Sequence, residues 1–183
     1  MDAIECIKGR RSIRKFKGNA LEDGLLESII SLAAMSPSWG NSQCARYVAV
    51  SGDQKAEMAK LMPEGNNKTV VEQAPIIIAL CAVHGKAGVL RGRGTYERAE
   101  GWTFFDCGGA AQTLCLAAYE KGVGSLQMGV FDFRAIGELL KLPEGVELVE
   151  LIALGYPDIE PQAPVRLELS ELLHYNEYYS QPI

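Results

Sequence analysis

Histidine is scarce in this chain of 183 residues: only His84 and His174 occur, and neither belongs to a ligand-spaced cluster, so no metal centre is expected. The five cysteines, Cys6, Cys44, Cys81, Cys107 and Cys115, are odd in number and include no C-x-x-C pair. That pattern argues against both structural zinc and a disulfide scaffold. Cys81, Cys107 and Cys115 fall in apolar runs, where free cysteine behaves as a small buried hydrophobe. No G-x-S-x-G elbow and no P-loop is present, which removes the common hydrolase and triphosphatase signatures. Basic charge is not in excess either: 18 Lys and Arg stand against 23 Asp and Glu, a net charge of -5. Such a chain has no long-range attraction for a polyanion, and nucleic acid is not an expected partner. The longest apolar run, Ala74 to Val83, is about half a bilayer crossing. The opening residues MDAIECIKGRRSIR lack the apolar stretch of a secretory signal, so the expectation is a cytoplasmic protein without a membrane partner.

What is present is a core. With 48% hydrophobic and 22% charged residues, the chain reads as one globular domain over 1–183. Asp2 to Lys8 reads as a short helix ended by Gly9, which leads into the basic stretch Arg10 to Lys17. Between Leu21 and Met35 the apolar positions Leu25, Leu26, Ile29, Ile30, Leu32 and Ala33 repeat at helical spacing, and Pro37 stops the run. Strands are expected at Arg46 to Val50, Pro75 to Val83, Leu126 to Val130 and Glu147 to Leu154. Helical turns are expected at Asp53 to Met62, at Lys68 to Gln73, and from an Asp132 cap to about Leu142.

Glycine and charge dominate from His84 to Trp102, which reads as a mobile surface excursion of the kind that covers active sites. Thr103 to Lys121 is helical in length but small or apolar nearly all round, so it should be a central helix packed on every side, a partner subunit included. The tail from Pro161, helical around Leu169 to Tyr175, has too few apolar residues for a core of its own and must dock elsewhere. The element order points to an α+β or mixed α/β architecture, with helices around a sheet of about four strands.

Three segments offer chemistry. Arg10, Arg11 and Arg14 with the Ser12 hydroxyl concentrate forked donors suited to a small anion such as phosphate, although a solvated basic face would have the same composition. Ser36 to Gln43 supplies amide and hydroxyl groups for a heterocycle, or forms an ordinary polar turn. Gly122 to Gly129 would let backbone approach a flat ligand, but it follows a helix and enters a strand, the reverse of the dinucleotide-binding order. The remaining chemistry is that of a phosphate-bearing aromatic cofactor, which brings its own reactivity.

In order along the chain, RRSIRKF (10–16), SPSWGNSQ (36–43), DCGGAAQTLCLAA (106–118), GVGSLQMG (122–129) and ALGYP (153–157) followed by Arg166 resemble the nitroreductase family of FMN-dependent oxidoreductases. The resemblance runs from Ile4 to about Tyr178. It implies an α+β, nitroreductase-like fold, with helices around a central mixed, mainly antiparallel sheet. It also implies a homodimer with FMN at the subunit interface, residues 158–183 docking on the partner.

Carried over by position, Arg10, Ser12 and Arg14, with Arg11 adjacent, match the motif that holds the phosphate and the pyrimidine edge, and Arg166 matches a second phosphate arginine. Pro37, Ser38, Asn41 and Gln43 match the loop laid against the flavin by the partner. Met128 and Gly129 match the backbone pair near the reactive flavin nitrogen, and Asn66 matches a ring-contacting asparagine. Asp106 resembles the family's helix-start acid, in a structural role.

The implied activity is reduction of nitroaromatics, quinones or other small flat aromatic acceptors by NADH or NADPH. The chemistry is borne by the flavin, so no catalytic side chain is named. The alternative is a flavin-binding or storage protein with little turnover. Departures from the family pattern are Pro164 and Thr69 (or Lys68) where many members carry lysines, and Gln43-Cys44-Ala45 where many carry QPW.

Overall fold

The computed structural model describes residues 1–90 and 94–178. Parts of two expectations, the excursion at 91–93 and the tail at 179–183, lie outside the described residues. Four strands form the central sheet: β1 (Ala45–Val50), β2 (Ile76–Val83), β5 (Gly124–Met128) and β6 (Val146–Gly155), in the order β1-β2-β6-β5. All three ladders are antiparallel. The parallel element of the expected mixed sheet is a single bridge, Ser12 to Ser125, which lays the N-terminal segment along the outer edge of β5.

Helices α3 (Gly52–Leu61), α4 (Asn66–Gln73) and α6 (Phe133–Leu139) cover one face of the sheet, and α2 (Leu25–Ala33) and α5 (Ala99–Glu120) cover the other. Burial on both faces explains the continuous apolar run of β2. Ile77, Ala79 and Cys81 join the α3/α4/α6 core, while Ile78, Leu80 and Ala82 join the α2/α5 core. Each buried Ile or Leu contributes about 1.5–3 kcal/mol. The register between β2 and β6 shifts at Leu80/Cys81, so Leu80 stands opposite Glu150 and Cys81 opposite Leu148. Glu150 stays in phase with Ile152 and Leu154 on the α5 face of the sheet, while the bulge turns Leu148 to the opposite core.

Helix α1 (Ala3–Gly9) opens with a capping box between Asp2 and Glu5. Helix α2 is shorter than its apolar repeat, because Gly24 turns the chain at φ 76 just before Leu25. Helix α5 begins at Ala99, four residues before the expected Thr103, and Asp106 therefore sits inside the helix and not at its start. The preceding stretch folds as a small hairpin, β3 (Val89–Leu90) with β4 (Gly94–Thr95). Its Tyr96 stacks on Trp39 with ring centroids 5.7 Å apart, and Trp102 packs on the same indole at 4.7 Å. The expected loose excursion is thus tied down by aromatic packing.

Within the single chain one side of helix α5 is bare, with Phe104, Phe105, Gly108, Gly109 and Gln112 exposed. The C-terminal helix α7 (Leu169–Leu172) is a single turn, shorter than the expected Leu169 to Tyr175, and the tail around it lies exposed on this chain, with Val165 98% accessible. No described helix is long and apolar enough to cross a membrane.

The N-terminal segment crosses β5 at Gly124, where an added Cβ would lie 2.7 Å from Cγ1 of Ile13. Gly124→Ala is therefore expected to cost about 1–3 kcal/mol through overpacking, read as a lowered urea midpoint with an unchanged m-value.

Candidate active site

Gly9 ends α1, and the chain then runs beside β5, held by Ile13 N–H donating to the Ser125 carbonyl at 2.9 Å. Further along, Lys17 N–H donates to Tyr156 O at 2.9 Å, and Phe16 bridges to Pro157. These contacts fix the basic stretch against the C-terminal end of α5 and the turn after β6. A groove of about 710 Å³ follows, lined by Arg10, Arg11, Tyr119, Ser125 and the stretch Pro157 to Pro161. That volume lies within the range of about 300–1,000 Å³ typical of small-ligand sites.

Arg10 and Ser125 also line a smaller pocket of about 100 Å³, which Ser12, Gln112, Cys115 and Gln127 complete. Guanidinium, hydroxyl and two carboxamides therefore converge from three elements. Gln112 and Gln127 escaped the sequence reading. The available signal was a polar residue in an otherwise small, apolar helix, and another alternating with buried Leu126 and Met128.

The arginines differ in availability. Arg11 donates to Lys8 O at 2.6 Å and to Arg10 O at 2.9 Å, so its fork satisfies carbonyls at the end of α1. Among the described residues Arg10, Arg14 and Arg166 form no ion pair. Arg14 is exposed between the two bridges, and Arg166 stands on the exposed tail, outside both pockets lined by Arg10. Met128 ends β5 buried, and Gly129 follows it exposed. Asn66 is exposed at the first position of α4, and Lys68 beside it is paired with Glu64. The chain by itself therefore gathers Arg10 and Ser12, with Met128 and Gly129 at the end of the adjacent strand. Asn66 and Arg166 are not brought to that pocket.

Pro37, Ser38 and Gln43 line a second pocket of about 140 Å³ with Ser36, Cys44, Tyr47 and Asp106. Asp106 organises this loop. Its carboxylate accepts the Trp39 N–H at 3.0 Å and the Ser42 hydroxyl at 3.1 Å, and Gln43 N–H donates to Ser38 Oγ at 3.0 Å. Asn41 and Gln43 adopt positive φ, 57 and 47 degrees, and both are exposed. Ser36 Oγ and Tyr47 Oη are buried without a hydrogen-bond partner among the described residues. The thiols here are inert: burial, then the Asp106 charge, raises Cys44, and burial pushes Cys107 up to about 12. Cys44 is fully buried, as are Cys81 and Cys107, both expected to pack as small hydrophobes.

One acidic group, Glu150, lies close enough to Cys115 of the Arg10 pocket for its charge to act on that thiol. Glu150 is half-buried, and burial raises its carboxyl to about 7.

The model of the nitroreductase family matches residues 7–70 and 62–156, and the chain belongs to that family. The NADPH-flavin oxidoreductase of Vibrio harveyi is 28% identical over 181 residues, which span 97% of this chain and 75% of that protein. The oxygen-insensitive NADPH nitroreductase of Salmonella typhimurium is 28% identical over 184 residues, spanning 98% of this chain and 75% of its own length. The solved structure of the NADPH:FMN oxidoreductase from Vibrio harveyi complexed with NAD+ matches with a TM-score of 0.85 at 27% identity, covering 98% of this chain and 79% of that one.

Removing the Asp106 acceptor strands the Trp39 and Ser42 donors. Asp106→Ala is expected to cost about 1.5–3 kcal/mol in urea unfolding, with Asp106→Asn milder. For Glu150, the native state keeps a proton up to about pH 7, whereas an unfolded glutamate loses it near about 4.3. The native state binds the extra proton between those values, so stability falls as pH rises through that interval. Thermal unfolding across that range should show the fall in wild type and a flatter profile in Glu150→Gln.

Proposed function

We propose that this protein is a cytoplasmic, homodimeric oxidoreductase that binds FMN at the subunit interface and uses NADH or NADPH to reduce nitroaromatics, quinones or similar flat acceptors. The observation that carries the reading is the convergence of Arg10, Ser12, Gln112 and Gln127 on one pocket beside the end of β5, in a chain of this family. The donor set fits the cofactor: an uncommitted guanidinium and a hydroxyl suit a phosphate, and carboxamides suit the pyrimidine edge of a flavin. When bound, FMN supplies hydride transfer at N5, alternating between the nicotinamide donor and the acceptor.

The chain's own residues bind and orient. Arg10 and Arg14 hold the phosphate, with Ser12 adding a directional bond, and Arg166 joins them when the tail docks. Arg11, turned onto α1, contributes its charge and positions the turn. Gln112 and Gln127 meet the ring edge, and the backbone at Met128 and Gly129 lines its reactive side. From the partner subunit, the loop bearing Pro37, Ser38, Asn41 and Gln43 closes the site, and Asn66 reaches the ring. No side-chain acid or base is needed, because proximity on the flavin face and fixed donors for the developing negative charge lower the barrier.

The exposed side of α5, with Phe105 70% accessible, and the uncovered apolar tail support a second copy as the missing cover. Residues 158–183 dock on that copy. Sedimentation equilibrium is expected to give twice the chain mass. Purified protein should be yellow and bleach promptly on mixing with NADPH or NADH. Retained FMN without bleaching would favour a storage role, and failure to bind FMN would refute the reading. Arg10→Ala removes a charge-assisted phosphate contact of about 1.5–3 kcal/mol, so FMN affinity should fall by at least about tenfold in fluorescence titration.

A further inference from the structure

Glu150 stands where binding alone does not explain a carboxyl group. In the β5–β6 ladder Met128 is opposite Leu151, so the same register carried one residue further sets Glu150 beside Gly129. It shares the α5-facing side of the sheet with Gln127, whose ladder partner is Ile152. The Gln127 amide donates to Cys115 Sγ at 3.4 Å, and Cys115 lines the Arg10 pocket. Glu150 is close enough to Cys115 for its charge to act on that thiol. Among the described residues Glu150 makes no side-chain hydrogen bond and no ion pair.

Its surroundings contain little to fix its charge. Helix α5 faces it with Cys115, β2 with Leu80 and β5 with Gln127, and the nearest cation of the pocket is Arg10, which like Glu150 is close enough to act on Cys115. On its own strand Glu147 is taken up by His84 at 2.7 Å. A half-buried carboxyl in such a place responds to any new charge nearby, because little screens it.

We infer that Glu150 is a charge-compensating residue that takes up a proton from solvent when the site is reduced and gives it back when the acceptor is reduced. This rests on the FMN reading above. A hydride from NAD(P)H delivers two electrons and one hydrogen, leaving NAD(P)+ and one added negative charge in the site. A separate solvent proton then converts the Glu150 carboxylate to the acid, and hydride transfer to the acceptor removes the charge and releases that proton. Glu150 touches neither cofactor nor acceptor in this account and acts through the field across Cys115 and Gln127.

The consequence is a proton count with a distinctive sign. With its carboxyl at about 7 before reduction and higher afterwards, Glu150 adds a proton only above neutral pH. Protonation of the reduced ring itself would add one at low pH and fade as pH rises. The test is the FMN midpoint potential of the loaded protein, measured from about pH 6 to about pH 9 for wild type and Glu150→Gln. The expected result is a rise from one proton toward two per two electrons above about pH 7 in wild type, and a count held at one in the variant. A wild-type count of one throughout, or the same rise in the variant, overturns the inference while leaving FMN binding intact. Protein that binds no FMN overturns the reading beneath it as well, and the spectrum separates the two failures. The wild-type curve decides even if the variant does not fold.

Discussion

The structure depends on a short stretch of backbone laid against the edge of β5, where Ile13 N–H meets the Ser125 carbonyl. That contact covers a sheet edge that would otherwise present unpaired donors and acceptors. It also delivers Arg10 and Ser12 to a place they do not reach by sequence proximity, next to Gln112 of α5 and Gln127 of β5. Gly124 makes the approach feasible because Ile13 occupies the space a side chain would need. Edge protection and site construction are therefore the same event.

Helix α5 is the second organising element. Its inner side supplies much of one core, and Asp106 on that side ties down the Trp39 loop through backbone and hydroxyl donors. The loop in turn anchors Tyr96 and Trp102, so the segment leading into α5 is packed. The outer side of the helix is left bare, which is consistent with a site completed by a second copy.

The motifs identified the family, and the core strands and helices were legible because burial on one or both faces leaves its period in the sequence. Roles of single residues were less so. Arg11 looked equivalent to Arg10 until its fork was seen on the carbonyls of α1. Gln112, Gln127 and Glu150 carried no motif, since each is a polar residue in a mainly apolar element, and only cross-strand and helix–sheet contacts bring them to one side.

The sequence by itself determined an α+β or mixed α/β class, the packed character of Cys81, Cys107 and Cys115, the basic N-terminal stretch and the loop from Ser36 to Gln43. Those features depend on local composition and periodicity. The tertiary structure decided which arginines remain uncommitted, where α5 begins, that the tail leaves its apolar residues exposed, and that a half-buried carboxyl faces the same helix as the candidate site. The physical reason is that hydrogen-bond commitment and desolvation are properties of neighbours in space. Glu150 faces α5 because it keeps the alternation of Ile152 and Leu154 along β6, but what stands opposite it is set by pairing with β2 and β5 and is not written in the strand itself.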